Sequence, residues 1–183
     1  MTGDWRMDRI GTALRGDNPT VLRRLTSGFA VIGDVQFLPG YSVLLVDEPD
    51  VQRLSDLPRA KRLSFLSDMD QLGEAVERAC RRLDPAFRRV NLEILGNTDP
   101  FLHAHVWPRF EWEPADVVGK PVLPSVPEGR WFRGLSAAGR VEGLGDVRRD
   151  VVLVLRRGSG CVAFPTRDGT RASSRSGGVG GSR

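Results

Sequence analysis

The sequence predicts an α+β fold in which an antiparallel sheet packs against one long helix. Three observations carry that expectation. Apolar side chains recur at three and four residues from 63 to 83, the period of a helix. Residues 90–95 and 101–107 alternate apolar and polar side chains, the period of a strand. A polar turn, Gly96-Asn-Thr-Asp-Pro100, separates those two strands, and so short a link lets them pair antiparallel.

Taken in order, residues 5–25 read as two short helical pieces split by Asp17-Asn18-Pro19-Thr20, because the residue before proline is pushed out of the helical region. Residues 28–33 read as a short buried strand, 34–40 as a connection, and Tyr41-Ser-Val-Leu-Leu-Val46 as a second strand. Ser55-Asp56-Leu57-Pro58 supplies a polar cap and a first-turn proline for the long helix. Its stripe is Leu63, Leu66, Met69, Leu72, Val76, Ala79 and Leu83, and Asp84-Pro85 ends it. After the two alternating strands, Pro108 and an aromatic, proline-containing run to Trp131 complete the compact part. Beyond about residue 134 glycine, arginine and serine dominate, and Val151-Val-Leu-Val-Leu155 reads as an isolated strand. Three regions follow: a helical extension over 1–26, a compact domain over 27–133, and a basic tail over 134–183, expected to be largely disordered.

The net charge of +4 belongs to that tail, where nine arginines face four acids. Residues 1–133 carry 18 Lys or Arg against 19 Asp or Glu, so no basic nucleic-acid face is expected on the compact domain. No stretch approaches the roughly 20 apolar residues of a membrane span, and the N-terminus does not resemble a secretory signal. Cys80 and Cys161 make neither a zinc spacing nor a disulfide framework, which suits a reducing cytoplasm.

The chemistry concentrates in Phe101-Leu-His-Ala-His-Val-Trp-Pro-Arg109, which holds both histidines of the chain. Residues two apart in a strand share a face, so Phe101, His103, His105 and Trp107 lie together, with Leu102, Ala104 and Val106 under the helix. Such a pair can ligate a metal, supply a nucleophile, or combine a general base with an anion contact. For a metal, a third ligand at a recognisable spacing is missing. Gly96-Asn97-Thr98 adds an amide, a hydroxyl and backbone N–H groups at the same rim, donors suited to a phosphate. Trp107 is expected to pack, Arg109 to be solvated, Cys80 to fill the core, and Glu111, Glu113 and Asp116 to form an exposed acidic run.

Asn91, Gly96-Asn97-Thr98 and Phe101-Leu-His103-Ala-His105-Val-Trp-Pro108-Arg109 resemble the histidine triad family of nucleotide hydrolases and transferases. Leu38-Pro-Gly-Tyr-Ser-Val-Leu-Leu-Val46 and Leu54-Ser-Asp-Leu57 resemble its strand and helix entry, so the likeness spans about residues 27–112. In detail it is most similar to bacterial dinucleoside polyphosphate hydrolase-like members. The resemblance implies that 27–133 is a catalytic domain in which His103 attacks the α-phosphorus of a (di)nucleoside polyphosphate or nucleoside phosphoramidate. His105, Asn97, Thr98 and, one residue out of register, Asn91 would hold the phosphate. Asp34, also about one residue out of register, would bind ribose. Phe101 stands where the family's first histidine is expected, and a lost charge-assisted hydrogen bond there is worth about 1.5–3 kcal/mol. No cofactor is required on this reading, although a divalent ion such as Mg would accompany the nucleotide, and a homodimer is implied. The competing expectations are a nucleotide-binding sensor with little catalysis and a domain that binds metal through both histidines.

Overall fold

The computed structural model describes residues 4–34, 36–96, 99–115 and 137–157. A 3-10 turn (Trp5–Asp8) leads into α1 (Arg9–Arg15), followed by β1 (Val21–Arg24), β2 (Gly28–Ile32) and β3 (Ser42–Val46). A second 3-10 turn (Leu54–Asp56) precedes α2 (Arg59–Leu83), then β4 (Phe87–Glu93), β5 (His103–Phe110) and α3 (Ala137–Arg157). The strands form one antiparallel sheet in the order β1-β2-β3-β5-β4. The chain therefore adopts the α+β architecture expected of it, with β5 interior and β4 at the edge.

Each face of the sheet has its own cover. On the back, Ala30, Leu44, Val46, Leu102, Ala104 and Val106 pack with Phe65, Leu72, Val76 and Ala79 of α2. On the front, Phe29, Val31, Val43 and Leu45 pack with Ala13 of α1. The buried carboxylate of Asp68 ties α2 to the β1–β2 turn by accepting from the backbone N–H and the hydroxyl of Ser27, both at 2.6 Å. A buried acid held by two donors avoids the cost of an unsatisfied charge.

Several expectations need correction. The second helical piece near residue 20 is strand β1, because Val21, Arg23 and Arg24 find partners on β2. The 1–26 segment is thus partly sheet. The helix stripe is rotated from the one anticipated: Phe65, Leu72, Val76 and Cys80 are buried, whereas Leu63 and Leu83 are 55% and 40% exposed. Val151–Leu155 is not a strand. It lies in α3, where Val147, Val151 and Leu155 recur at four and join the α2 core. The tail boundary at 134 therefore does not hold for α3, which also pairs through Asp150 with Arg82 of α2. Residues 134–136 and 158–183 of the expected tail, and 116–133 of the compact part, lie outside the described residues.

Candidate active site

β5 is flanked by β3 and β4, and cross-strand partners face the same way. His103 sits opposite Leu45, while His105 sits opposite Val43 on β3 and Glu93 on β4. The histidines therefore share the front face with Val43 and Leu45. Where α1 stops covering that face, a cavity of about 280 Å³ opens. Its walls include His103, His105, Phe101, Tyr41, Asp34 and Arg9.

His103 is 4% exposed. Its Nδ1 lies 2.8 Å from the carbonyl oxygen of Phe101. A carbonyl only accepts, so Nδ1 carries the proton and the lone pair of the neutral ring is on Nε2. The ring of His105 stands nearly perpendicular to it, 4.8 Å away at 78°. His105 Nδ1 is 2.7 Å from the hydroxyl of Tyr41. Burial, reinforced by the neighbouring His103, pushes the His105 pKa down to about 4, so this ring is neutral at pH 7.

Tyr41 lies flat against Trp107, with centroids 3.7 Å apart and planes within 5°. Trp107 is itself 3% exposed and donates its indole N–H to Glu93 at 3.0 Å. It is packed, as the sequence suggested, and it also lines the cavity. Burial, with the charge of Asp34 second, raises the Tyr41 pKa and keeps it a phenol. Phe101 lines the cavity beside His103, at 5.4 Å between centroids.

Asp34 reaches the cavity wall, but its carboxylate is engaged. Arg9 donates to it through both terminal nitrogens, at 2.7 and 3.0 Å. Asn91 is opposite Trp107 on β4, on the histidine face but outside the cavity lining. Asn97 and Thr98 lie outside the described residues. Arg109 and Glu113 depart from expectation. Arg109 is buried, and Glu113 accepts from its Nε at 2.9 Å while also accepting from the Phe110 backbone N–H. Glu111 pairs with Arg88 at 3.1 Å, and Asp116 lies outside the described residues. Cys80 is buried as expected, and burial pushes its thiol pKa up to about 12. Among the described residues no three His, Cys, Asp or Glu side chains gather as metal ligands, so the two-histidine metal reading finds no third partner there. No helix among them is long and apolar enough to cross a membrane.

Three residues of the site escaped the sequence reading. Arg9 is 25 positions from Asp34, and nothing in either segment signals the pairing. Glu93 is placed beside Trp107 only by the β4–β5 register. Tyr41 did carry a signal: it is the single tyrosine of the chain and immediately precedes the first strand beside the histidines.

No protein-family model matches the sequence, and no curated protein matches it. Solved structures do. A hypothetical histidine triad nucleotide-binding protein from Sulfolobus tokodaii is 10% identical, covering 81% of this chain and 91% of its own, with a TM-score of 0.55. A zinc-bound histidine triad family protein from Mycobacterium smegmatis is 18% identical, covering 82% and 98%, with a TM-score of 0.53. A Hit-like protein involved in cell-cycle regulation from Bartonella henselae is 14% identical, covering 82% and 99%, also at 0.53. At these identities the likeness is one of fold, and the fold is that of the histidine triad proteins.

Proposed function

Starting from a histidine triad fold, we propose that this protein is a nucleotide hydrolase or nucleotidyl transferase that works through His103. One observation carries the reading. The Phe101 carbonyl holds the Nδ1 proton of a nearly buried histidine, which leaves the Nε2 lone pair as the ring's nucleophile at the cavity. Neutral imidazole is a competent nucleophile near pH 7. That lone pair attacks the α-phosphorus of a nucleotide. As the Nε2–P bond forms, the bond from phosphorus to the leaving oxygen or nitrogen breaks, and its electron pair departs with the leaving group, a leaving nitrogen taking up a proton from solvent. The positive charge gained by the ring is met by the Phe101 carbonyl at Nδ1. Water, or another acceptor, then attacks phosphorus, gives up its proton to solvent, and returns the Nε2–P electron pair to His103.

Asp34, Asn97, Thr98 and His105 are the proposed substrate contacts. A divalent ion such as Mg would arrive with a polyphosphate. A homodimer is proposed as well, supported by edge strand β4 with its partly exposed Leu92 and by Ile94 just beyond it. Sedimentation at micromolar concentration reads that assembly, and a monomer there removes it.

The test is rapid quenching after mixing with a dinucleoside triphosphate and, separately, a nucleoside phosphoramidate. Turnover with an acid-labile label on the protein is expected. His103→Ala should lose the label and at least about a thousandfold in kcat while binding nucleotide. Full activity in that variant would overturn the assignment. The sensor reading is favoured by one observation, Phe101 at the first motif position, which leaves the site without a third imidazole. Nucleotide-induced thermal stabilisation without turnover would select it.

A further inference from the structure

The outer partner of His105 is held with unusual thoroughness for a residue at the end of a connection. Gln36 donates to the carbonyl oxygens of Gly33 and Tyr41, at 2.8 and 2.7 Å, and accepts from the backbone N–H of Gly40. Gly40 takes a left-handed φ of +96°, which a side chain would resist. A Cβ there would also come 2.7 Å from the Cys80 sulfur. The Tyr41 backbone is thereby fixed, and the stack on Trp107 fixes its ring. What this scaffold delivers is one hydroxyl, 2.7 Å from His105 Nδ1.

A phenol has one proton to place. Among the described residues the Tyr41 hydroxyl has no hydrogen-bond partner besides His105. If the ring donated from Nδ1, the phenol proton would be left without an acceptor among the described residues, which is disfavoured for a half-buried hydroxyl. If the phenol donates to Nδ1, its proton is satisfied and the neutral ring carries its own proton on Nε2.

We infer that Tyr41 is a positioning residue that fixes His105 as a neutral Nε2–H donor for a phosphoryl oxygen in the cavity. This rests on the nucleotidyl reading of the site. The two histidines of the chain then hold opposite tautomers. His103 offers a lone pair from Nε2 to phosphorus, set by a carbonyl; His105 offers a proton from Nε2 to oxygen, set by a phenol. The low His105 pKa supports the same division, because the donor stays neutral through the working pH range. Neither ring needs to be charged for the pair to act, and neither can exchange roles without losing its Nδ1 partner.

With only two histidines, the chain can be read directly by long-range 1H–15N spectra of 15N-histidine-labelled protein, with His103→Gln used for assignment. At pH 7 His105 should show an unprotonated Nδ1 and a protonated Nε2, and His103 the reverse. Tyr41→Phe keeps the ring on Trp107 and removes only the hydroxyl. Its His105 should become a tautomer mixture, with AMP binding and nucleotide turnover each weakened about tenfold and thermal stability close to wild type. A protonated Nδ1 on His105 in the wild type would overturn the inference, and so would an unchanged His105 spectrum in Tyr41→Phe. Should the tautomers be as stated while no nucleotide binds or turns over, the positioning of the ring by Tyr41 stands and the nucleotidyl reading fails.

Discussion

The two faces of β5 are built from alternate residues of one strand, yet they are stabilised differently. On the even side Leu102, Ala104, Val106, Pro108 and Phe110 are buried and close against neighbours by dispersion and exclusion of water. On the odd side each functional ring or head group has a directed polar partner. His103 has the Phe101 carbonyl, His105 the Tyr41 hydroxyl, Trp107 the Glu93 carboxylate and Arg109 the Glu113 carboxylate. Both sides are largely buried, with His105 the most exposed member of the odd set. The even side tolerates any close-packed apolar set of the right volume, whereas the odd side needs named atoms at named distances. The chemistry sits on the second side because a ring nitrogen held by one hydrogen bond has its other nitrogen defined as well.

The sharpest way to break this division is to strip a partner from the odd side. Glu113→Gln should remove the carboxylate that pairs with the buried Arg109 guanidinium at 2.8 Å and cost about 3–5 kcal/mol. Urea unfolding reads that loss, and a change below about 1 kcal/mol would show that solvent or another group already compensates Arg109. The matching change on the even side is smaller and different in kind. Val106→Ala removes two methyl groups from a fully buried site and should cost about 2 kcal/mol. Turnover per folded molecule should be untouched. If it falls in step with stability, the faces are coupled and the division fails.

The even face, and most of the sheet with it, was legible in the sequence. Alternation in 101–107 and a helical stripe in 63–83 are local patterns; α2 spans the second, while β5 overlaps the first but runs from His103 to Phe110. Elements without a usable local period were misread. Val151–Leu155 is rich in β-branched residues and looks like a strand, but it is helical because Val147, Val151 and Leu155 find a groove on α2. Tertiary contact overrides propensity there. β1 failed similarly: four residues carry too little pattern, and a partner on β2 decides. In the site, His103 and His105 were readable because they share a strand and a face. Arg9 on Asp34 and Tyr41 on His105 join residues 25 and 64 positions apart, and such pairings exist only in the fold.

The smallest expected effect is also the one that isolates His105 most cleanly. Its pKa is lowered in the folded protein to about 4, against about 6.5 for a free imidazole. Between those values the unfolded chain binds a proton that the folded chain refuses. The stabilisation of the native state tied to the neutral ring is therefore complete above about pH 6.5 and is lost progressively as pH falls towards 4. Solvent reaches part of the ring and screens it, which limits the loss to about 1–2 kcal/mol. His105→Gln removes the titrating group, so the stability difference between variant and wild type should change with pH across that window and be flat above it. Carboxylates elsewhere titrate in both proteins and cancel in the difference. A difference that stays flat down to pH 4 would mean that His105 takes up its proton in the folded state near the ordinary value. The odd face would then hold a cation opposite Tyr41, and its contrast with the packed face would be one of charge rather than of directed hydrogen bonds between neutral groups.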